Sequence, residues 1–345
     1  MIRVAINGYG RIGRVAHRVI LQKHTDALEV VAINAGSSTD LKGWKYLLQY
    51  DSVYGPLMVP LSIEERTPQD PEDLLGKLVV NNQAIPIYSQ KDPTKLPWGD
   101  RGVDVVIEST GHFKTQEDLQ KHITAGAKAV VLSAPTKGDG VGTIVLGVNN
   151  DTFSGQKILS NASCTTNCIA PVAKIMQEHF GVEKAMMTTV HGYTSDQKLQ
   201  DGGHKDYRRA RAAGLNIIPT STGATEAATE AVPELEGKFL GLSLRVPVPV
   251  GSLADCTFVL NKATSIKEIN DIFKHEAQNP LWKGILAVTE DPLVSSDIIG
   301  NPHSSIIDLS LTQVVGGTLA KVIAWYDNEY GYANRLIEEV RMIGI

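Results

Sequence analysis

The chain reads as an α/β protein: an N-terminal doubly wound parallel sheet, then an α+β domain with a mixed or antiparallel sheet. Three observations predict this. Strand and helix patterns alternate from Arg3 to Val148, and a glycine-rich turn joins the first strand to the first helix. After Asn161 the extended segments lengthen.

Arg3 to Asn7 is a short strand of buried type, and Arg11 to Lys23 is helical, with Val15, Val19 and Ile20 on one face. Glu29 to Asn34 is a second strand. Pro56 to Pro97, rich in Pro, Asn and Asp, is an excursion of hairpins and loops. Val103 to Glu108 resumes the strand pattern, Gln116 to Ala125 is a helix, and Ala129 to Ser133 and Thr143 to Val148 are further strands. Alternation of this kind predicts parallel strands with helices on both faces.

Small polar residues run into an apolar helix from about Thr165 to His179. Extended segments follow at Ala185 to Val190, Leu240 to Val248, Asp255 to Leu260 and Leu319 to Tyr326. Between the first two lies Gly192 to Asn216, a polar loop of about 25 residues, a length that usually carries function. Gly331 to Ile343 places Ala333, Leu336, Ile337 and Val340 at helical spacing and is expected to pack back on the first domain. The expected domains are therefore 1–163, completed by helix 331–345, and 164–330.

A net charge of −5 gives no electrostatic reason for general nucleic-acid or membrane binding. The short basic cluster from Lys205 to Arg211 suits a small phosphate or an interface better than a polymer. Three cysteines, Cys164, Cys168 and Cys256, are too few and odd in number for a disulfide framework. The N-terminus opens on a strand pattern, and no run of about 18 apolar residues occurs. A cytoplasmic protein without a membrane span is expected, and no metal ion.

Gly8, Gly10 and Gly13 follow a strand and open a helix, the context in which such glycines let a pyrophosphate rest on the helix N-terminus. The acidic residue that ordinarily ends the second strand of such a unit is absent, for Asn34 is followed by Ala35, Gly36, Ser37, Ser38 and Thr39. An acid there binds the ribose hydroxyls and repels a 2′-phosphate. Ala35 removes the repulsion, so NADP is admitted, alone or beside NAD; alternatively Asn34 and a more distant group bind NAD.

Cys164 opens the long helix of the second domain, flanked by Ser163 and Thr165. The helix dipole and unpaired N–H groups there favour the thiolate. Cys168, one turn on, reads as small core packing. His191 ends a strand among Thr188, Thr189, Thr194 and Asp196, and is the best placed of nine histidines to act as a base. Thr194, Arg208, Arg211, Thr222, Gly223 and Arg245 are anion-binding types; Arg245, between Leu244 and Val246, needs an anionic partner if buried.

Seven segments occur in order: Asn-Gly-Tyr-Gly-Arg-Ile-Gly (7–13), Ala-Ser-Cys-Thr-Thr-Asn-Cys (162–168), Thr-Val-His-Gly-Tyr-Thr-Ser-Asp-Gln (189–197), Arg-Arg-Ala-Arg-Ala-Ala (208–213), Ser-Thr-Gly-Ala (221–224), Arg-Val-Pro (245–247) and Trp-Tyr-Asp-Asn-Glu-Tyr-Gly-Tyr (325–332). Over essentially the whole chain this series resembles the phosphorylating glyceraldehyde-3-phosphate dehydrogenases.

The resemblance implies a Rossmann-type first domain and reversible oxidation of glyceraldehyde 3-phosphate with inorganic phosphate to 1,3-bisphosphoglycerate, in glycolysis or gluconeogenesis. It implies Cys164 as nucleophile and His191 as its base, forming an ion pair with the thiolate. Thr194, Asp196 and Arg245 would take the substrate's C3 phosphate; Ser163, Thr165, Arg208, Thr222 and Gly223 would take the attacking phosphate. Asn328 would fix the nicotinamide amide, with Tyr332 near the ring and Ser133 lining it, and Arg11 and Ile12 would meet the pyrophosphate. A homotetramer is implied, its 192–216 loops reaching a neighbour's cofactor site.

Two places depart from the NAD-specific pattern of that family, and a third departs from its commonest residue. Ala35 replaces the acid. Asp201-Gly202-Gly203-His204 stands where a bulky residue and a proline are usual, and Gly192 stands where Ala is common. The first two favour NADP or dual use. Two other readings compete: an erythrose-4-phosphate dehydrogenase, against which Tyr193-Thr194 and Thr222-Gly223 argue, and a non-catalytic sensor or RNA- or surface-binding protein, against which the retained Cys164, His191 and phosphate sets argue.

Overall fold

The computed structural model describes residues 1–344, which divide into two compact units. The first comprises residues 1–143 and 153–161 and the chain from Ala333 onward; the second comprises 144–152 and 162–332.

In chain order the first unit contains β1 (Ile2–Asn7), α1 (Arg11–Lys23), β2 (Leu28–Asn34), α2 (Leu41–Gln49), β3 (Leu61–Glu65), β4 (Leu74–Val80), β5 (Gln83–Tyr88), β6 (Val105–Glu108), α3 (Gln116–Thr124), β7 (Ala129–Leu132), β8 (Gly142–Thr143) and β9 (Ile158–Ser160). They form one nine-stranded sheet in the order β3-β4-β5-β2-β1-β6-β7-β9-β8. The run from β5 to β8 pairs in parallel, while β3, β4 and β5 form the antiparallel excursion expected from its Pro- and Asn-rich turns. Val4, Ala5 and Ile6 are fully buried, as a central parallel strand demands. Strand order reverses at β1, between β2 and β6, and ligands of doubly wound sheets bind at the carboxyl ends of strands flanking such a reversal.

Two segments differ from the sequence reading. The predicted strand Thr143 to Val148 stops at Thr143. Beyond it Val145 N–H donates to Asn149 Oδ1 (2.7 Å), Gly147 takes φ 83°, and Val145 and Val148 bury their side chains in the core of the second unit. Residues 144–152 thus pack in the second unit rather than the first, because their apolar side chains find their partners there. Helix α2 was not expected; Asp40 caps it by accepting from Gly43 N–H (2.8 Å), although Gly43 weakens its helical pattern.

The second unit contains α4 (Cys164–Phe180), β10 (Val182–Gly192), β11 (Ile218–Thr220), α5 (Ala224–Ala231), β12 (Phe239–Val246), β13 (Ser252–Leu260), α6 (Ile266–Glu276), β14 (Leu286–Thr289), β15 (Ser305–Asp308), β16 (Gln313–Val315) and β17 (Leu319–Tyr326). Its sheet is mixed, in the order β11-β12-β10-β13-β17-β15-β14, with β16 on β17. β10 runs parallel to β12 and antiparallel to β13. α4 is buried almost throughout, its Cys168, Ile169, Val172, Ala173 and Met176 lying in the core with Ala254, Cys256 and Phe258 of β13. That burial holds the helix, and so fixes where its first residue points. The opposite face of the sheet is open: Met186, Leu240 and Leu242 are exposed, with Met186 beside Leu240 across the β10–β12 pairing.

The chain ends in α7 (Tyr330–Ile343), whose residues from Ala333 belong to the first unit, where Lys23 Nζ donates to Asn334 Oδ1 (2.8 Å). Among the described residues no helix is long and apolar enough to cross a membrane.

Candidate active site

Cys164 is the first residue of α4. Two local features aim it. Ser163 caps the helix, its Oγ accepting from Thr166 N–H (3.0 Å). Ala162, immediately before, adopts φ 52°, a left-handed conformation that costs a residue with a Cβ about 1 kcal/mol or more. Strain held at the residue entering the cap marks a turn fixed by its surroundings.

The thiol faces the end of β10, with Cys164 Sγ 3.5 Å from His191 Nε2. His191 is buried, its ring edge-on to Tyr326 at 6.0 Å. The Tyr326 hydroxyl bonds both Thr165 Oγ1 and Thr189 Oγ1 at 2.8 Å, tying α4 to β10 beneath the thiol–imidazole pair. Tyr326 went unnoticed in the sequence because an aromatic at a strand end reads as core.

His191 Nδ1 lies 2.6 Å from Gly192 O and 2.6 Å from Arg245 Nη1. One nitrogen cannot serve both. Protonated, it donates to the carbonyl and leaves Nε2 a lone pair for the thiol proton; unprotonated, it accepts from Arg245. Burial, then the Arg245 charge, lowers the imidazole from 6.5 to about 3. Burial raises the Cys164 thiol despite the opposing pull of Arg245 and Thr165. Desolvation thus penalises the charged form of each group.

The residues expected to bind anions belong to the same unit. Thr166 Oγ1 donates to Ala224 O (3.2 Å), drawing the N-terminus of α5, which Gly223 caps, against that of α4. Thr222 Oγ1 accepts from Ala224 N–H at 3.2 Å. Thr194 Oγ1 donates to Asp196, which also takes Arg209 Nη1 at 2.7 Å. Burial raises the Asp196 carboxyl, but Thr194, Arg209 and Arg245 together hold it below its usual value. Arg245 is half-buried, and its Nε has no partner among the described residues.

Two expected phosphate ligands are placed differently. Arg208 is exposed, its backbone N–H donating to Asp206 Oδ1 and its carbonyl accepting from Arg211 N–H. Its neighbour Arg209 turns inward, with Nε to Thr220 Oγ1 (2.8 Å) and Nη2 to Ser221 O (3.4 Å), beside Thr222. Two adjacent arginines point opposite ways, and their order along the sequence does not say which turns in. Thr165 is nearby, but its hydroxyl is committed to Tyr326, leaving the backbone N–H as its contribution.

In the first unit Gly8 has φ 96° and would put a Cβ 2.5 Å from Thr110 N; a Cβ on Gly13 would stand 2.1 Å from Gly8 O. Both glycines are required sterically. A Cβ on Gly10, the residue capping α1, would meet nothing within 4 Å, so open space lies over that helix N-terminus. This is the cradle a pyrophosphate needs. Arg11 pairs with Asp51 (2.6 Å), and Ile12 is half-buried. Asn34 is spent structurally: its Nδ2 donates to Asn7 Oδ1 (2.7 Å) and Gln90 O (2.9 Å), while its Oδ1 accepts from Gln90 N–H (2.9 Å). Its donors are therefore not available to ribose. Ala35 is buried, and Ser37 and Ser38 are exposed just beyond. Ser133 N–H donates to Glu108 O at 2.9 Å. In the second unit Asn328 Oδ1 accepts from Gly251 N–H and Ser252 Oγ, which leaves its N–H groups to offer, and Tyr332 Oη donates to Ala162 O (3.1 Å).

A doubly wound unit with this turn, and a second unit that sets a thiol against an imidazole at a helix N-terminus, define a cysteine-dependent dehydrogenase. Comparison with known proteins is specific. Residues 2–116 match the family model described as glyceraldehyde 3-phosphate dehydrogenase, NAD binding domain, and residues 163–328 match its C-terminal domain. Curated glyceraldehyde-3-phosphate dehydrogenases of Mycobacterium leprae, Mycobacterium tuberculosis and Streptomyces coelicolor are 50%, 48% and 47% identical to it, each over 99% of this chain and 98% of the relative. The chain belongs to the glyceraldehyde-3-phosphate dehydrogenase family, and its first unit is an NAD-binding domain.

Proposed function

We propose that the protein carries out the phosphorylating oxidation of glyceraldehyde 3-phosphate to 1,3-bisphosphoglycerate through a thioester on Cys164. The observation that carries the reading is the 3.5 Å approach of Cys164 Sγ to His191 Nε2 at the N-terminus of α4. His191, its Nδ1–H donating to Gly192 O, takes the thiol proton as sulfur attacks the aldehyde carbon. The thiohemiacetal oxygen is stabilised by the imidazolium and the backbone N–H at the start of α4. Bound nicotinamide supplies the acceptor for the hydride lost as thiohemiacetal becomes thioester. In the first unit Gly8, Gly10, Gly13, Arg11, Ile12 and Ser133 hold the dinucleotide.

Thr194 and Arg245 receive the C3 phosphate, with Asp196 orienting Thr194. Ser163, Thr222, Gly223 and the inward Arg209, in place of Arg208, receive the attacking phosphate, which cleaves the thioester to an acyl phosphate and returns the thiolate. A C3 phosphate on Arg245 draws the guanidinium from His191 Nδ1 and leaves Gly192 O as that nitrogen's partner. Substrate binding thus readies the base.

The buried Ala35 and exposed Ser37 and Ser38 support use of NADP beside NAD, there being no carboxylate at that strand end to repel a 2′-phosphate. The open apolar face with Met186, Leu240 and Leu242 supports a homotetramer built by copies covering it. Three free cysteines support a reducing, cytoplasmic setting.

The test is Cys164→Ser. Wild type incubated with aldehyde and NAD without phosphate should release one NADH per active site in a burst and carry a trappable acyl group. The serine variant should bind NAD yet show neither, and a normal burst from it would remove Cys164 from the chemistry.

A further inference from the structure

Beneath the glycine turn runs a chain of buried polar groups that no step above uses. Trp98 Nε1 donates to His122 Nδ1 (3.0 Å), which leaves the ring's proton on Nε2. That N–H donates to Glu108 Oε2 (3.0 Å), which also accepts from Asn7 Nδ2 (2.5 Å). The other oxygen, Oε1, accepts from Thr110 N–H (2.8 Å) and Thr110 Oγ1 (2.5 Å). Asn7, Trp98, Glu108 and His122 are completely buried. Each carboxylate oxygen is met by two N–H or O–H groups.

The two arms of Glu108 grip the turn from both sides. Asn7 immediately precedes Gly8 and is further held by Asn34. Thr110 lies directly beneath Gly8, so close that a Cβ there would meet Thr110 N at 2.5 Å. Ser109, between the two arms, closes the contact with N–H to Asn7 O (2.7 Å) and Oγ to Gly8 O (2.7 Å).

We propose that Glu108, oriented by His122, is a positioning residue for dinucleotide binding: through Asn7 and Thr110 it holds the Gly8–Gly10 turn in its binding shape before the ligand arrives. The ligand then does not have to order the turn, which is how preorganisation raises affinity. The inference rests on the dinucleotide reading of the first unit. A glutamine substitutes poorly: its NH2 group in the place of Oε2 meets the N–H groups of His122 and Asn7, and in the place of Oε1 it still faces the Thr110 N–H.

The test measures NAD binding by calorimetry to the intact enzyme, with thermal unfolding and cofactor-free alkylation of Cys164 alongside. Glu108→Gln should raise the Kd for NAD about tenfold or more while alkylation stays within about twofold. Thr110→Val, which keeps the backbone N–H and loses only the hydroxyl donor, should weaken NAD about threefold or more, and Thr110→Ser should restore it. The threonine pair decides the matter should Glu108→Gln not fold. Wild-type affinity in Thr110→Val, or in a folded Glu108→Gln that merely melts earlier, would overturn the proposal and make the network a stabiliser of the sheet. No NAD binding by the wild type would instead overturn the dinucleotide reading beneath it.

Discussion

Arg208 and Arg209 are adjacent, equally basic, and turned in opposite directions, so exchanging each for glutamine tests the phosphate site directly. Arg209 is the hub of the 192–216 loop: it bonds Asp196 at 2.7 Å, Thr220 at 2.8 Å and Ser221 O at 3.4 Å, beside Thr222 and Gly223. A guanidinium hydrogen bond to phosphate is charge-assisted and worth about 1.5–3 kcal/mol, which is roughly 10- to 150-fold in affinity. Arg209→Gln should therefore raise the KM for inorganic phosphate by about 10- to 100-fold. Arg209→Lys should fall between, keeping the charge but not the planar fork. Arg208 donates to the protein only through its backbone, so Arg208→Gln should leave that KM within about twofold. The assay separates the half-reactions. The NADH burst without phosphate reports acylation, and its rate should change little in either variant. The dependence of turnover on phosphate reports deacylation, where the Arg209 defect should appear. A phosphate defect in Arg208→Gln with a normal Arg209→Gln would refute the assignment.

Other expected outcomes bear on the base, the cofactor and the acid limit of the fold. His191→Asn should slow acylation by about 10² to 10⁴, the usual contribution of a positioned base, and a normal burst rate would exclude His191 from that role. Ala35→Asp should cost NADP at least about tenfold more in kcat/KM than it costs NAD, since the new carboxylate repels only the 2′-phosphate. Equal losses would show that residue 35 does not face that position. His17 is fully buried with its Nδ1 on Tyr9 Oη (2.6 Å), and burial lowers it from 6.5 to about 3. The unfolded chain therefore binds a proton in this window that the fold excludes, so stability falls as pH drops from about 6.5 toward 3. At pH 5 the penalty is about 2 kcal/mol. In urea unfolding at pH 7.5 and 5, His17→Gln should lose about that much less than wild type between the two conditions. Identical losses would mean that His17 is protonated in the fold.

The two-part architecture was legible because it rests on period and length. Buried parallel strands are short continuous apolar runs, and β1, β2, β6 and β7 all announce themselves this way. Segment 144–148 has the same composition and is no strand. Val145 and Val148 are buried in the core that holds α4, and Gly147 turns the chain between them. An apolar run says that it will be buried, not against what.

The sequence by itself determined the chemistry on offer: a cysteine at a helix N-terminus, a histidine at a strand end, glycines at the turn, and no acid after Asn34. Those follow from local rules of helix starts, tight turns and side-chain type. Tertiary structure alone decided the pairings. It brought His191 to 3.5 Å from Cys164, turned Arg209 in and Arg208 out, and joined Trp98, His122, Glu108 and Asn7 into one buried chain. It also spent the Asn34 side chain on Asn7 and Gln90, which its position at a strand end does not reveal. Hydrogen-bond partners and desolvation depend on distances between segments far apart in the chain, and these are fixed only when each core closes around its own segments.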